Sequence, residues 1–221
     1  MLLLGRIDNR ERIQPVAGRT TDPAADHGLG PYYIPGPPHR RDIREDVDGA
    51  PLLVRIRVVE AETQAPLAGV GVEIWHCGPN GKYSGFLGYS SEKMPPLLTL
   101  KMRRSRPTDA KRFLRGGQVA DSEGRVEFQT VVPGWYTPRT PHMHVRVARA
   151  GQTVLTTELF LPDDLTAHVQ SLPPYAERGR SPFTNINDIG IRLAKGSPCG
   201  WPTVRRTDDG HEADFTLQVS R

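Results

Sequence analysis

The chain has 221 residues, which suits one domain or one domain with an arm, and its hydrophobic fraction of 37% suffices for a single core. A formal net charge of +4 is too small to indicate a nucleic-acid-binding protein, and no apolar stretch is long enough to span a membrane. The 22 glycines and 21 prolines argue against a mainly helical protein and favour strands joined by many turns.

The first predicted segment is an extended arm that covers residues 1–50 and is rich in proline, glycine and charge. Its stretch 30–38 can form neither a regular helix nor a central strand, because proline lacks an amide donor and fixes φ. Tyr32 and Tyr33 lie in this stretch and indicate that it packs against the rest of the chain. Residues 51–221 are predicted to form one domain.

The predicted elements of this domain are mainly strands. Alternation of apolar and polar residues, or short β-branched runs, predicts strands at 52–59, 70–76, 125–132, 142–149, 153–161 and 213–219. One short helix is expected from Asp163 or Asp164, either of which would cap it. The fold class is therefore all-β, a β-sandwich of mostly antiparallel strands with one or two short helices. Its long loops, at 84–113 and 171–189, are where sites and lids tend to lie.

The distribution of charge and the number of cysteines limit which binding partners and which cellular compartment we expect. The basic stretch 101–112 has no interleaved aromatic residues, which a base-stacking surface would need, so we expect no nucleic-acid partner. It is interpreted as a solvated loop, or else as a loop that attracts an anionic substrate. The apolar run at 2–4 is too short for a signal peptide, and Cys77 and Cys199 are too few for a disulfide framework. We therefore expect a cytoplasmic protein with free thiols.

The most informative motif is the pair His142 and His144 in a predicted strand. Because residues i and i+2 of a strand share a face, both imidazoles can point at one metal. Tyr136 and Arg139 precede the pair, and Tyr83 follows an earlier glycine-containing turn. Each residue alone has an ordinary explanation, such as a half-exposed strand histidine or an arginine in a surface turn. Together, two phenols and two imidazoles favour ferric iron, because phenolate is a hard anionic donor.

Five blocks of the sequence, in this order, resemble the intradiol ring-cleavage dioxygenases, ferric enzymes that split catechols between the two hydroxyl-bearing carbons. The most specific block is 133–144, where Pro-Gly-Trp-Tyr is followed by Arg-x-x-His-x-His. The supporting blocks lie at 30–33, 69–76, 81–84 and 113–116.

This resemblance implies that Tyr83, Tyr136, His142 and His144 bind Fe(III). It also implies that Tyr136 is a labile ligand, which leaves the metal and takes up a proton when the catechol binds. Arg139 would then stabilise negative charge that develops on the substrate ring. The implied reaction consumes O₂ and converts a catechol-type substrate into a muconate-type diacid.

One position departs from the family pattern within the implied catalytic set. Where these enzymes commonly carry a glutamine, this chain has Glu158. Its carboxylate could neutralise Arg139, recognise an amine or hydroxyl of the substrate, or point outward from its strand. The turn at 77–80 also differs from the usual one, so that Tyr83 could approach the site differently.

Two other functions stay open. One is an iron enzyme of this fold whose chemistry has changed within a biosynthetic pathway, with Glu158 as part of the change. The other is a non-catalytic, transthyretin-like β-sandwich module, because the stretch 66–74 also occurs in such domains and a fold does not decide function. A homodimer is possible in either case, with Tyr32 and Tyr33 of the arm as its contact.

Overall fold

The computed structural model describes residues 28–88, 105–193 and 201–220. In these ranges the strands are β1 (Pro51–Glu60), β2 (Gly71–Trp75), β3 (Arg115–Val119), β4 (Arg125–Val131), β5 (His142–Arg149), β6 (Gln152–Phe160), β7 (Thr203–Thr207) and β8 (Gly210–Val219). They form two four-stranded sheets, with strand orders β4-β1-β8-β7 and β3-β2-β5-β6. All neighbouring strands are antiparallel except β1 and β8, which are parallel. The predicted all-β sandwich is therefore confirmed.

The helices within the described ranges are short. They are α1 (Asp163–Val169), a 3₁₀ turn at Tyr175–Glu177 and α2 (Ile189–Leu193). Helix α1 begins where it was predicted, but the expected aspartate cap is wrong. The residue before the helix is Pro162, which makes no side-chain capping bond, and the Asp163 carboxylate instead accepts a hydrogen bond from the Asn185 amide. None of the described helices is long and apolar enough to cross a membrane.

The core lies between the two sheets and follows from strand alternation. In β1, Val54 and Ile56 are buried while Arg55 faces outward, where it pairs with Glu127 of β4 and Glu212 of β8. Burying one such aliphatic side chain stabilises the fold by about 1.5–3 kcal/mol. The outward ion pairs contribute far less, because they are partly exposed to solvent.

The described part of the predicted arm, residues 28–50, lies against one side of the sandwich. His39 forms a β-bridge with Gly117 of β3, and Asp42 forms one with Gln129 of β4. Ile43 is fully buried and packs beneath Gly116, and a side chain at position 116 would collide with Ile43. The arm thus covers the edges of both sheets on this side. Residues 1–27 and the 89–104 portion of the long loop lie outside the described ranges.

Candidate metal centre

Strands β2, β5 and β6 place three buried side chains in one row across their sheet. His144 of β5 lies directly opposite Trp75 on β2 and Glu158 on β6. Its ring stacks on the indole of Trp75 with centroids 5.0 Å apart and planes nearly parallel. His142, two residues earlier on the same face, has its ring centroid 4.9 Å from that of His144. Both histidines are buried, so the predicted shared face is observed.

The two predicted tyrosine ligands come from loops that follow β2 and β4. A methyl group on Gly134 would overlap the Pro79 carbonyl, and one on Gly81 would overlap the Trp135 carbonyl. Gly81 also has φ +75°, which favours glycine. The two loops therefore touch backbone to backbone, and the unusual turn at 77–80 still brings Tyr83 to the site.

All four predicted ligands converge in one buried cluster. The rings of Tyr83 and Tyr136 are 5.7 Å apart, and those of Tyr83 and His144 are 6.1 Å apart. The Tyr136 hydroxyl lies 3.3 Å from Nε2 of His142. Tyr32 of the arm stacks on Tyr83 with centroids 4.6 Å apart, which adds an aromatic wall to the cluster.

The protonation states leave lone pairs available to a cation. Nδ1 of His142 lies 2.7 Å from the Thr140 carbonyl, which can only accept, so Nδ1 carries the proton and Nε2 a lone pair. Burial and the charge of Arg139 lower the pKa of His142 to about 4, so its imidazole is neutral at pH 7. Burial raises the pKa of the Tyr83 and Tyr136 phenols above the ordinary value. Without a cation, both phenols are therefore neutral.

The donor set fits a hard, highly charged cation. Within the described ranges the buried Tyr83 hydroxyl makes no hydrogen bond, which typically costs about 1–3 kcal/mol. A cation that took this oxygen as a ligand would remove that cost. Phenolate oxygens with imidazoles suit Fe(III) in particular. His142, His144 and Glu158 also offer ligand atoms that lie within 4.8 Å of one another.

Arg139 is buried between two carboxylates rather than in a surface turn. Its Nη1 and Nη2 donate to the two oxygens of Glu158 at 3.0 and 2.5 Å, and its Nε lies 3.0–3.1 Å from both oxygens of Asp188. Arg139 is 6% exposed, Glu158 4% and Asp188 0%. Burial opposes the charge of Arg139, but the carboxylates outweigh it and raise its pKa well above the ordinary value. Glu158 therefore points inward and neutralises Arg139.

Asp188 was not predicted from the sequence. It lies at the end of the 171–189 loop, and its carboxylate also accepts hydrogen bonds from the amides of Thr140, Gly190 and Ile191. An aspartate just before a short apolar helix is a helix-cap pattern, so its local role could have been found. Its contact with Arg139 is 49 residues distant in the chain and leaves no local pattern.

Two side chains of the same loop have structural roles. The Tyr175 hydroxyl donates to the Val132 carbonyl, and the Arg178 guanidinium lies over the Trp135 ring, 4.3 Å from its centroid. The loop thus packs against the segment that carries Tyr136.

Comparison with known proteins identifies the family. The profile of the family described as Dioxygenase matches residues 29–172. Among curated proteins, the chain is 29% identical over 152 residues to chlorocatechol 1,2-dioxygenase of Pseudomonas sp. strain P51, a match that covers 59% of this chain and 53% of that protein. It is 32% identical over 157 residues to catechol 1,2-dioxygenase 2 of Acinetobacter lwoffii, covering 61% and 50%. The chain thus spans about half the length of these curated relatives.

Among solved structures, an intradiol ring-cleavage dioxygenase from Tetranychus urticae superposes with a TM-score of 0.78 at 29% identity. The match covers 90% of this chain and 94% of that one. The likeness therefore extends over nearly the whole of a compact relative.

Proposed function

The chain belongs to the intradiol ring-cleavage dioxygenase family, and from this we propose that it is an Fe(III)-dependent dioxygenase that cleaves a catechol-type ring with O₂ to a muconate-type diacid. One observation carries the proposal: Tyr83, Tyr136, His142 and His144 converge in a single buried cluster. Two phenols and two imidazoles suit a ferric ion better than a zinc ion, which prefers cysteine, histidine and carboxylate.

In this proposal the four residues bind the iron, and their side chains also set the charge around it. Ferric iron bound there would supply a Lewis-acidic centre for the substrate. Nε2 of His142 is already aimed at the cluster by the hydrogen bond that Nδ1 makes to Thr140. Tyr83 offers a buried oxygen that lacks a hydrogen bond in the described ranges.

Tyr136 is proposed to receive a proton from the substrate at its Oη atom. Burial raises the pKa of this phenol, so a Tyr136 released from a metal would be a neutral phenol rather than a phenolate. Release therefore favours transfer of a hydroxyl proton from the catechol to Oη. Tyr32 and Phe86, whose rings lie 5.3 Å apart beside Tyr83, would offer aromatic surface to the bound ring.

The altered-chemistry alternative keeps one specific observation in its favour. Glu158 pairs with Arg139, so the guanidinium that the family resemblance assigns to stabilising substrate charge is already neutralised. An enzyme with a neutralised Arg139 could bind a catechol to iron and then convert it to a product other than the ring-cleaved diacid. Product analysis separates the two functions.

We also propose the substrates, the location and the oligomeric state. The named activities of the relatives suggest a catechol as substrate, and O₂ as the second one. A cytoplasmic location is proposed from the cysteine pattern; Cys77 is a buried free thiol whose pKa burial raises to about 12. A homodimer stays a prediction for sedimentation to test. Tyr32 and Tyr33 are buried against their own chain, so they do not provide its contact.

The test is spectroscopic and chemical. Purified protein reconstituted with ferric iron should show a visible phenolate-to-iron absorption band that shifts when catechol is added without oxygen, and oxygen should then yield a muconate-type diacid by mass. Tyr136→Phe should shift the band and slow turnover at least tenfold. The matched control Tyr175→Phe, outside the cluster, should keep both band and product. A colourless reconstituted protein would contradict the iron site, and colour without a diacid would support the altered chemistry.

A further inference from the structure

We infer that Glu158 is an additional ligand of the metal, so that this site offers five protein donors, one of them a carboxylate. The inference rests on the metal centre proposed above. It concerns a position at which the resembled family commonly carries a glutamine, whose amide is neutral.

The first support is distance. Oε1 of Glu158 lies 3.6 Å from Nδ1 of His144 and 4.0 Å from Nε2 of His142. A protein nitrogen or oxygen bound to a transition metal lies roughly 2.0–2.2 Å from the ion, so two ligands of one ion are at most about 4.4 Å apart. Both measured separations fall inside this limit. Glu158 therefore reaches the ion that the histidines would hold.

The second support is strand register. The β5–β6 pairing sets Glu158 directly opposite His144, and His142 opposite Phe160. Side chains of directly opposed residues share a face, so the carboxylate and both imidazoles point into the same buried volume. Their common orientation is a property of the sheet and not of a flexible loop.

The third support is the way in which the carboxylate is held. Arg139 contacts both oxygens of Glu158, and Asp188 fixes Arg139 from the other side while bound to the Thr140 amide. A carboxylate oxygen has two lone pairs, so Oε1 can accept from Nη1 and still donate to a cation. Asp188 is in this sense a positioning residue that acts through Arg139. The side chain is fixed before a metal arrives, which lowers the entropic cost of coordination.

As a consequence, the two histidines and Glu158 should bind a divalent metal ion even without the tyrosines. Two histidines and one carboxylate that leave positions open are typical of Fe(II) sites, without help from phenolates. The tyrosines would then add the anionic charge that favours the ferric state. Removing both phenols should leave a weaker site that still binds a divalent ion.

The experiment isolates Glu158 from the phenolates. In the full-length double variant Tyr83→Phe/Tyr136→Phe, Co²⁺ binding is measured by titration calorimetry and by the visible absorption of the bound ion. We expect one Co²⁺ per chain. Adding Glu158→Gln should raise the Kd at least tenfold and change the visible absorption of bound Co²⁺, because the ion would lose one of its ligand atoms. Loss of a residue that only supports a ligand also typically costs about 10–100-fold in affinity, but it leaves the set of ligand atoms and therefore the spectrum unchanged. The matched control Glu127→Gln, on the outer face of the other sheet, should leave the Kd unchanged.

A second variant covers the case in which Glu158→Gln fails to fold. Glu158→Asp keeps the charge but withdraws the carboxylate by one methylene, and it should also weaken Co²⁺ binding and change the visible spectrum. Equal affinity and an equal spectrum in either folded variant would overturn the inference. This outcome is distinct from failure of the proposed function, in which the wild-type chain binds iron through these residues but produces no diacid.

Discussion

Replacing Arg139 by methionine removes the cation that lies between two buried carboxylates. Glu158 and Asp188 are 4% and 0% exposed, so bulk water cannot solvate either charge after the guanidinium is removed. Removing one partner of a buried ion pair typically costs about 3–5 kcal/mol. For a chain of this size, 1 kcal/mol moves the melting temperature by about 2–4 °C. We therefore expect the metal-free Arg139→Met protein to melt about 6–20 °C below the wild type.

The loss should fall unevenly on the two carboxylates. Asp188 retains hydrogen bonds from the amides of Thr140, Gly190 and Ile191, which continue to stabilise its charge. Glu158 loses the guanidinium that held both of its oxygens, and His142, with a pKa of about 4, is neutral and cannot replace it. Adding Glu158→Gln to Arg139→Met should therefore restore more stability than adding Asp188→Asn.

Urea unfolding of the metal-free proteins at pH 7 measures these differences as a double-mutant cycle. Arg205→Met is the matched control, because Arg205 is half-exposed and its pairs with Glu212 and Asp214 should be worth no more than about 1 kcal/mol. A cost for Arg139→Met as small as that of the control would show that the buried charges are not coupled as described. So would a larger rescue by Asp188→Asn than by Glu158→Gln.

Two further outcomes follow from the site and its surroundings. Gly134→Ala should cut iron content at least tenfold, because the new methyl group would collide with the Gly78 and Pro79 carbonyls and separate the loops that carry the tyrosines. Metal analysis of the purified variant measures this, and Gly71→Ala is the control. The unfolding free energy of the metal-free protein should fall as the pH drops from about 6.5 towards 4, by at most about 1.4 kcal/mol per pH unit for each of His76 and His142. Both are held neutral with pKa values of about 4, so the unfolded chain binds more protons in this window; stability that is flat or rises there in urea titrations would contradict the assignment.

The strands with alternation or a run of β-branched residues could be predicted, whereas β3 and β7 could not. Strand β5 has the predicted bounds, because its apolar and polar residues keep the period of two. Strand β3 was missed because Gly116 and Gly117 occupy its centre, where glycine favours no strand. Gly116 is needed there to admit Ile43 of the arm, a contact across more than 70 residues. Strand β7 was missed because it buries a single apolar residue, Val204.

The site divides in the same way. The shared face of His142 and His144 follows from strand geometry alone, whereas the approach of Tyr83 to Tyr136 depends on how two separate loops pack. The inward direction of Glu158 could not be read by counting residues from His144. The β5–β6 hairpin has a register shift next to Ala148. The side chains of β6 opposite His144 therefore lie on the other face of the sheet from the one that an unbroken hairpin would give them.

The fold would serve a binding module as well as an enzyme, so the choice between them depends on what the cluster costs a chain that binds no metal. Burying the Tyr83 hydroxyl without a hydrogen bond in the described ranges is unfavourable by about 1–3 kcal/mol, and the raised pKa of both phenols prevents them from relieving this by ionising. A carrier could replace Tyr83 by phenylalanine and gain stability. A bound cation would make the hydroxyl advantageous, since coordination both ionises the phenol and satisfies its oxygen. We therefore expect metal-free Tyr83→Phe to be at least as stable as the wild type, and ferric iron to reverse that order.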